Sequence, residues 1–270
     1  MELELAIVGA GMMAEAIVRG ILRAGTIRAS QMKAADPSAE RRQVFEASLK
    51  IAAVEKAVEL VAARAVLLGV KPYQMQQVLE EIGPRLAEGS LLISIAAGVS
   101  TAAMESALPA GKRWRVIRAM PNTPMLVGYG MVAIAAGKFA SKEDMSFARG
   151  LFESSAKVLE VSEEKMDAVT AVSGSGPAYF FFLTEQMIQS GIEMGLSPEE
   201  ARTLAIQTAA GAAKMMAESA DEPAEHRRRV TTPNGTTHAA ITHMESGNWP
   251  AVTREALKAA QRRSRELGKK

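Results

Sequence analysis

Val8-Gly9-Ala10-Gly11-Met12-Met13-Ala14 is the stretch on which the reading of this chain turns. It follows a short apolar run, Leu3–Val8, and opens a segment, Met12–Ala24, in which Ile17, Val18, Ile21 and Leu22 recur at helical spacing. Strand, glycine turn and helix in that order give G-x-G-x-x-A, the permitted variant of the dinucleotide fingerprint. Gly9 allows the tight turn, Gly11 lets the backbone approach a pyrophosphate, and Ala14 is small enough for helix and strand to pack closely. The helix N-terminus adds free N–H groups and the positive end of its dipole. Val8, Gly9, Ala10, Gly11, Met12 and Met13 are therefore the expected phosphate cradle. Asp36 follows a presumed second strand, Gln31–Ala35. A carboxylate there accepts hydrogen bonds from an adenosine ribose and favours NADH. Arg41 and Arg42 stand close behind and suit a 2′-phosphate, which keeps NADPH as the alternative. The plain reading of Asp36-Pro37 is a turn or a helix cap.

Outward from the turn, the first half alternates. Apolar runs at Ala65–Val70, Leu91–Ala96, Val116–Ala119, Met131–Ala135 and Lys157–Val161 read as strands, and the stretches Val54–Ala63 and Met75–Leu86 between them as helices. That pattern predicts an α/β fold, a doubly wound parallel sheet with crossover helices, over residues 1–161. After residue 161 helical segments dominate: Glu163–Val172, Pro177–Met194, Pro198–Ser219, Gly235–Glu245 and Pro250–Leu267. Residues 162–270 are expected to form an all-helical domain. Small residues punctuate it, and Phe180, Phe181 and Phe182 call for burial against a second copy of the chain or against its own first domain.

Composition narrows the function classes. The chain has 270 residues, 48% hydrophobic and 23% charged, and a formal charge of +2 from 32 basic and 30 acidic residues. Surface scaling gives about 11,300 Å² exposed when folded against about 41,600 Å² unfolded, enough burial for one large or two ordinary domains. The charge balance excludes a strongly basic nucleic-acid binder, and the absence of cysteine excludes a disulfide framework and a thiol nucleophile. No apolar run approaches the roughly 20 residues of a membrane span, and Met1-Glu2-Leu3-Glu4 lacks a basic leader, so a cytoplasmic protein is expected. His226, His238 and His243 are scattered, with no carboxylates at ligand spacing, so no metal is expected.

Five further strings follow in order: Gly69-Val70-Lys71-Pro72, Ser94-Ile95-Ala96-Ala97-Gly98-Val99, Ile117-Arg118-Ala119-Met120-Pro121-Asn122-Thr123-Pro124, Ser173-Gly174-Ser175-Gly176-Pro177-Ala178-Tyr179 and Val230-Thr231-Thr232-Pro233-Asn234-Gly235-Thr236-Thr237. With the glycine turn, this set resembles the pyrroline-5-carboxylate reductase family from Val8 to Thr237. The resemblance implies a Rossmann domain followed by a helical dimerisation domain, a homodimer that in some members builds larger rings of dimers. It also implies NAD(P)H-dependent reduction of the C=N bond of 1-pyrroline-5-carboxylate to L-proline. By resemblance Gly69, Val70, Lys71 and Pro72 line the cofactor, and Ile95, Ala96 and Ala97 its nicotinamide end. Asn122 positions cofactor or substrate, with a loop-stabilising amide as the plain alternative. Thr237 is the donor to the imine nitrogen, Thr232, Gly235 and Thr236 hold the carboxylate, and Glu163 lies near the substrate; helix capping is the plain role for Glu163.

Some positions depart from the family. Asn234 replaces a usual glycine, but asparagine tolerates left-handed backbone, so the turn is expected to survive. His226-Arg227-Arg228-Arg229 replaces a Lys-acid pair; it draws in a carboxylate or solvates a helix face. Arg64 stands where an aspartate is common. Two rivals remain: a hydroxyacid dehydrogenase, whose general-base lysine is missing because the next lysine after Ser173 is Lys214, and a sensor that binds NAD(P) without turnover.

Overall fold

A computed structural model describes residues 3–60 and 62–268. Its sheet grows outward from β1 (Leu3–Val8), the strand before the glycine turn, in the order β3-β2-β1-β4-β5-β6-β7-β8. The other strands are β2 (Met32–Ala35), β3 (Ala52–Val54), β4 (Ala63–Leu68), β5 (Leu91–Ser94), β6 (Arg115–Met120), β7 (Gly130–Ala136) and β8 (Ala156–Glu160). Around them lie α1 (Met12–Ala24), α2 (Ala39–Gln43), α3 (Met75–Ile82), α4 (Thr101–Ala107) and α5 (Lys142–Phe152). β1 sits between β2 and β4 in parallel register, Ile7 opposite Ala34 on one side and Leu67 on the other. The chain reverses its winding there, so the ends of β1 and β4 form the switch point at which such sheets bind ligands.

The central strands are apolar throughout because both faces are covered. Leu5 and Ile7 of β1, Leu67 of β4 and Ile93 of β5 join Ile17, Ile21, Phe45 and Phe152 on one face. Ala6, Val8, Val66, Leu68 and Leu92 join Met75, Leu79 and Met104 on the other. Each fully buried Leu or Ile in these layers stabilises the fold by about 1.5–3 kcal/mol. The first helix stops where it must: Gly25 adopts φ 69 and its N–H caps the carbonyls of Ile21 and Leu22.

Two expectations change. Among the described residues the stretch Val54–Ala63 holds no α-helix; Val54 ends the edge strand β3, and a short 3-10 turn, Ala57–Leu60, precedes β4. Nor is the sheet parallel throughout. β7 runs antiparallel to β6, because residues 121–129, with Pro121 and Pro124, are too short for a crossover and fold as a tight 3-10 connection.

Beyond β8 come a 3-10 turn (Glu163–Lys165), α6 (Met166–Val169), a π turn (Thr170–Gly174), α7 (Gly176–Glu193), α8 (Pro198–Glu218), α9 (Pro223–Arg229), α10 (Thr236–Ser246) and α11 (Trp249–Leu267). The strands do end at Glu160, close to the expected boundary at 161, yet the compact units part after Ser175. One unit holds the residues up to Ser175 together with those from Ala260 onward; the other is Gly176–Ala259. The cause is packing: Met166 is buried against Ala133 and Ala135 of β7, and the Ser264 hydroxyl donates to Asp167 Oδ1 at 2.7 Å.

The Gly176–Ala259 unit joins α7 to α8 through Gly195 at φ 99 and a reciprocal cap between Ser197 and Glu200. Its close contact is made by small residues, Gly191 against Ala201. Phe180, Phe181, Phe182, Leu204 and Met215 remain exposed, Phe181 to 67%. Exposed aromatic rings on this scale mark a surface made for association.

Candidate functional site

The glycine turn is built by close approach. Gly9 adopts φ 92, and a Cβ there would sit 2.7 Å from the Gly69 carbonyl carbon; a Cβ on Gly69 would sit 2.6 Å from the Gly9 oxygen. The two glycines thus lie back to back at the switch point, with the Gly9 N–H on the Ala35 oxygen at 2.8 Å and the Gly69 N–H on the Val8 oxygen at 2.7 Å. Ala14 lies just beyond Gly69, where a larger side chain would collide. Gly11 is the N-cap of α1; no side chain caps it, and the space a Cβ would take is open. The first-turn N–H groups are therefore free to meet an anion. A cleft of about 530 Å³ opens there, lined by Gly9, Gly11, Asp36, Gly69, Val70 and Lys71 among others. Val8 and Ala10 are buried and Met13 packs on the core, so these positions offer backbone rather than side chain. Met12 is exposed beside them. A glycine-walled cleft with an uncapped helix N-terminus fits the dinucleotide its sequence implies.

At the adenosine end expected for that dinucleotide, Asp36 accepts from the Ala10 N–H at 2.8 Å through one oxygen and from the Ser38 N–H at 2.9 Å through the other. Arg41 donates from Nε to the Ala10 carbonyl at 2.6 Å and from Nη2 to Glu15 at 2.7 Å. Arg42 donates to the carbonyls of Asp36 and Pro37, each at 2.8 Å. The two arginines that suited a 2′-phosphate are thus engaged with the protein itself. Burial alone would push the Glu15 carboxyl up, but hydrogen bonds and charge from Arg41 and Arg19 outweigh it and hold the carboxyl below its usual range.

Lys71 is exposed at the start of a 3-10 turn, Pro72–Gln74, with its N–H on the Gln74 side chain. After β5, Ile95 donates its N–H to the Leu68 oxygen and Ala96 to Ser94 Oγ; Ala97 is half-buried. Gly98, at φ 81, is packed so tightly that a Cβ would lie 2.9 Å from that of Leu267. The far end of α11 thus braces the loop expected at the nicotinamide, a contact no sequence pattern announces.

Asn122 is 8% exposed, and its amide is engaged at both ends: Oδ1 accepts from the Met131 N–H at 2.9 Å, Nδ2 donates to the Ser173 oxygen at 3.1 Å. Its side chain is a loop bracket, the plainer of the two readings. Glu163 does not cap a helix; Oε1 accepts from Arg118 Nη1 at 2.7 Å. Arg118, only 3% exposed, also lies 3.7 Å from Asp167. Glu163 Oε2 and Arg118 Nε and Nη2 have no hydrogen-bond partner among the described residues. Sequence reasoning passed over Arg118, whose signal was a lone charge inside an apolar strand.

The threonine turn belongs to the Gly176–Ala259 unit. Gly235 donates its N–H to the Thr232 oxygen at 2.9 Å, and Asn234 adopts φ 65, so the turn survives the departure from glycine. Gly235 is the N-cap of α10 without a side-chain cap, leaving the N–H groups of the first turn open. Thr232 and Thr236 are exposed and Thr237 is half-buried. In the preceding α9 every arginine is paired: Arg227 with Glu245 at 2.9 Å, Arg228 with Glu225 at 2.6 Å, Arg229 with Asp221 at 2.6 Å. The basic run is a neutralised helix face rather than a free cationic patch. Among the described residues no three His, Asp or Glu side chains gather as metal ligands, and no helix is long and apolar enough to cross a membrane.

Known proteins resemble this arrangement throughout. Residues 163–267 match the family described as pyrroline-5-carboxylate reductase dimerisation, and residues 4–98 the one described as NADP oxidoreductase, coenzyme F420-dependent. A pyrroline-5-carboxylate reductase of Pseudomonas aeruginosa is 44% identical over 265 residues, which cover 97% of this chain and 96% of that protein. The solved structure of a pyrroline-5-carboxylate reductase from Coxiella burnetii is 34% identical, with a TM-score of 0.90 over 100% of both chains. The Plasmodium falciparum pyrroline carboxylate reductase, solved with NADP bound, is 28% identical, with a TM-score of 0.88 over 98% of each.

Proposed function

The chain belongs to the pyrroline-5-carboxylate reductase family, and on that premise we propose that it reduces the C=N bond of 1-pyrroline-5-carboxylate to give L-proline, at the expense of NADH in preference to NADPH. The observation that carries the reading is the uncapped start of α10: free N–H groups at a helix N-terminus are a carboxylate site, and a threonine hydroxyl stands in the same turn. A bound reduced nicotinamide supplies the hydride. The protein's part is to hold, orient and hydrogen-bond.

Gly9, Gly11, Gly69, Val70 and Lys71 cradle the dinucleotide phosphates, the backbone of Val8, Ala10, Met12, Met13 and Pro72 completing the wall. The small residues Ala96 and Ala97, with Ile95, leave room for a planar ring. Asn122 serves through its backbone and by fixing the loop it bridges. Thr237 donates to the ring nitrogen as it becomes an amine, while Thr232, Gly235 and Thr236 hold the substrate carboxylate. Glu163, held by Arg118, is a polar neighbour of the substrate. The preference for NADH rests on Asp36, whose negative charge opposes a 2′-phosphate, and on the engagement of Arg41 and Arg42 elsewhere. The helical region matched to a dimerisation family supports self-association; we assign it a homodimer, able to build rings of dimers, acting in the cytoplasm.

The test is oxidation of NADH, then of NADPH, by purified protein with racemic 1-pyrroline-5-carboxylate. Turnover with a higher kcat/KM for NADH is expected. Cofactor binding without turnover of either would refute the reductase reading, and a higher kcat/KM for NADPH would refute the assignment of Asp36.

A further inference from the structure

The middle residue of the glycine turn is gripped from both sides by one segment. Ala10 donates its N–H to Asp36 Oδ2 at 2.8 Å, and its carbonyl accepts from Arg41 Nε at 2.6 Å. Asp36 follows β2 directly and Arg41 lies in α2, the next element along the chain. The neighbours of Ala10, Gly9 and Gly11, are the residues with the most backbone freedom, so the turn has little stiffness of its own. A trans peptide is planar, with its C=O and N–H pointing in opposite directions. Fixing the Ala10 carbonyl on Arg41 therefore fixes the Gly11 N–H on the opposite side. Fixing the Ala10 N–H on Asp36 likewise turns the Gly9 carbonyl away, towards Gly69, where a Cβ would meet it at 2.6 Å. Arg41 is itself anchored: Glu15, in the first turn of α1, holds Nη2 at 2.7 Å and is shared with Arg19 at 2.7 Å. The cleft is lined by Asp36 and not by Arg41.

We propose that Arg41 is a positioning residue for cofactor binding, acting with Asp36 as a two-sided clamp on the Ala10 peptides that presets the Gly11 N–H for a dinucleotide pyrophosphate. The clamp rests on the reductase reading above, because its effect is on the nicotinamide cofactor. It differs from the role sequence spacing suggested for Arg41, recognition of a 2′-phosphate. A clamp acts on the pyrophosphate, which NADH and NADPH share, so it makes no distinction between them. A phosphate reader acts on NADPH alone.

The experiment compares wild type, Arg41→Met and Arg41→Lys by steady-state kinetics with each cofactor, by direct titration of NADH and NADPH fluorescence, and by thermal melting. Loss of a charge-assisted hydrogen bond that presets the turn is expected to raise KM and Kd about tenfold, by the same factor for NADH and NADPH. The kcat is expected to stay within about twofold, since no group touching the substrate has changed. Arg41→Lys, which keeps a cation beside Glu15 but offers one ammonium for two partners, should lie between wild type and Arg41→Met. Weakening confined to NADPH would overturn the clamp in favour of a phosphate reader. Unchanged affinity for both cofactors in folded Arg41→Met would overturn it outright, as would a fall in kcat with KM unmoved. If Arg41→Met does not fold, the same criteria apply to Arg41→Lys. Failure of the reductase reading is separate and visible in the wild type, which would then bind dinucleotide without reducing the imine.

Discussion

Gly11→Ala separates the two things a glycine can do in such a turn. The backbone at Gly11 is at φ −69 and ψ 175, allowed for any L-residue, and no atom lies within 4 Å of the added methyl. Two small effects on stability oppose each other. Alanine restricts the unfolded chain, worth about 0.4–1 kcal/mol in favour of folding, and it is a poorer N-cap than glycine by a similar amount. The net change is within about 1 kcal/mol, and the melting temperature should stay within about 4 °C of wild type. Binding is another matter. The empty space is where a pyrophosphate must approach the backbone, and a methyl forced into a close contact costs about 1–3 kcal/mol. That converts to about 5- to 150-fold in affinity. Thermal melting without ligand and fluorescence titration with NADH measure the two sides in one preparation. NADH affinity within twofold of wild type would refute the assignment of this turn to the pyrophosphate. A melting temperature lowered by 10 °C would refute the claim that the site is sterically open.

Other outcomes follow from the same geometry. Thr237→Ala is expected to lower kcat by an order of magnitude or more while leaving NADH affinity unchanged; unchanged turnover would remove Thr237 from the chemistry. The Glu15 carboxyl titrates below the usual glutamate value of about 4.3 in the folded chain, so its ionisation stabilises the fold above that value and the benefit is lost as pH falls through the lowered one. The melting-temperature gap between wild type and Glu15→Gln should therefore be constant from pH 6 to 8 and narrow only as the pH falls below the usual glutamate range; a gap that widened in acid would contradict the pairing with Arg41. Phe181→Arg places a charge on the exposed apolar face of α7 and should shift the protein towards monomer in light scattering, with a dimer of wild-type stability as the contrary result.

The first half of the fold was legible because its signals are local and agree with one another. Leu3–Val8 must be covered on both faces, Gly9 and Gly25 bracket the first helix, and the spacing of Ile17, Val18 and Ile21 admits one face only. Where signals conflict, the reading failed. Val54, Ala57, Val58 and Leu60 have helical spacing, yet Val54 pairs in the sheet and the rest make one short turn packed beneath it. The reversal at β7 depends on the length of one connection, which periodicity does not weigh. In the site, glycine positions could be read because a missing Cβ leaves a mark in the sequence. Partnerships could not: that Asn122 bridges Met131 and Ser173, or that Arg41 reaches Ala10, follows from distances only a folded chain has. Arg118 was overlooked for the same reason, since its partners Glu163 and Asp167 lie far along the chain.

The bracing of Gly98 by Leu267 and of Asp167 by Ser264 also sets an order of events during synthesis. The unit that β1 begins is closed by residues translated only after the whole of Gly176–Ala259 has been made. A nascent chain can form its sheet early, because neighbouring strands meet over short separations. The loop after β5 and the segment around Asp167 nevertheless keep an uncovered face until Ser264 clears the ribosome. Loop closure over so long a separation is slow relative to local pairing. The sheet-bearing unit therefore finishes folding late although it starts first, and any fragment that stops before Ala260 carries that face permanently bare.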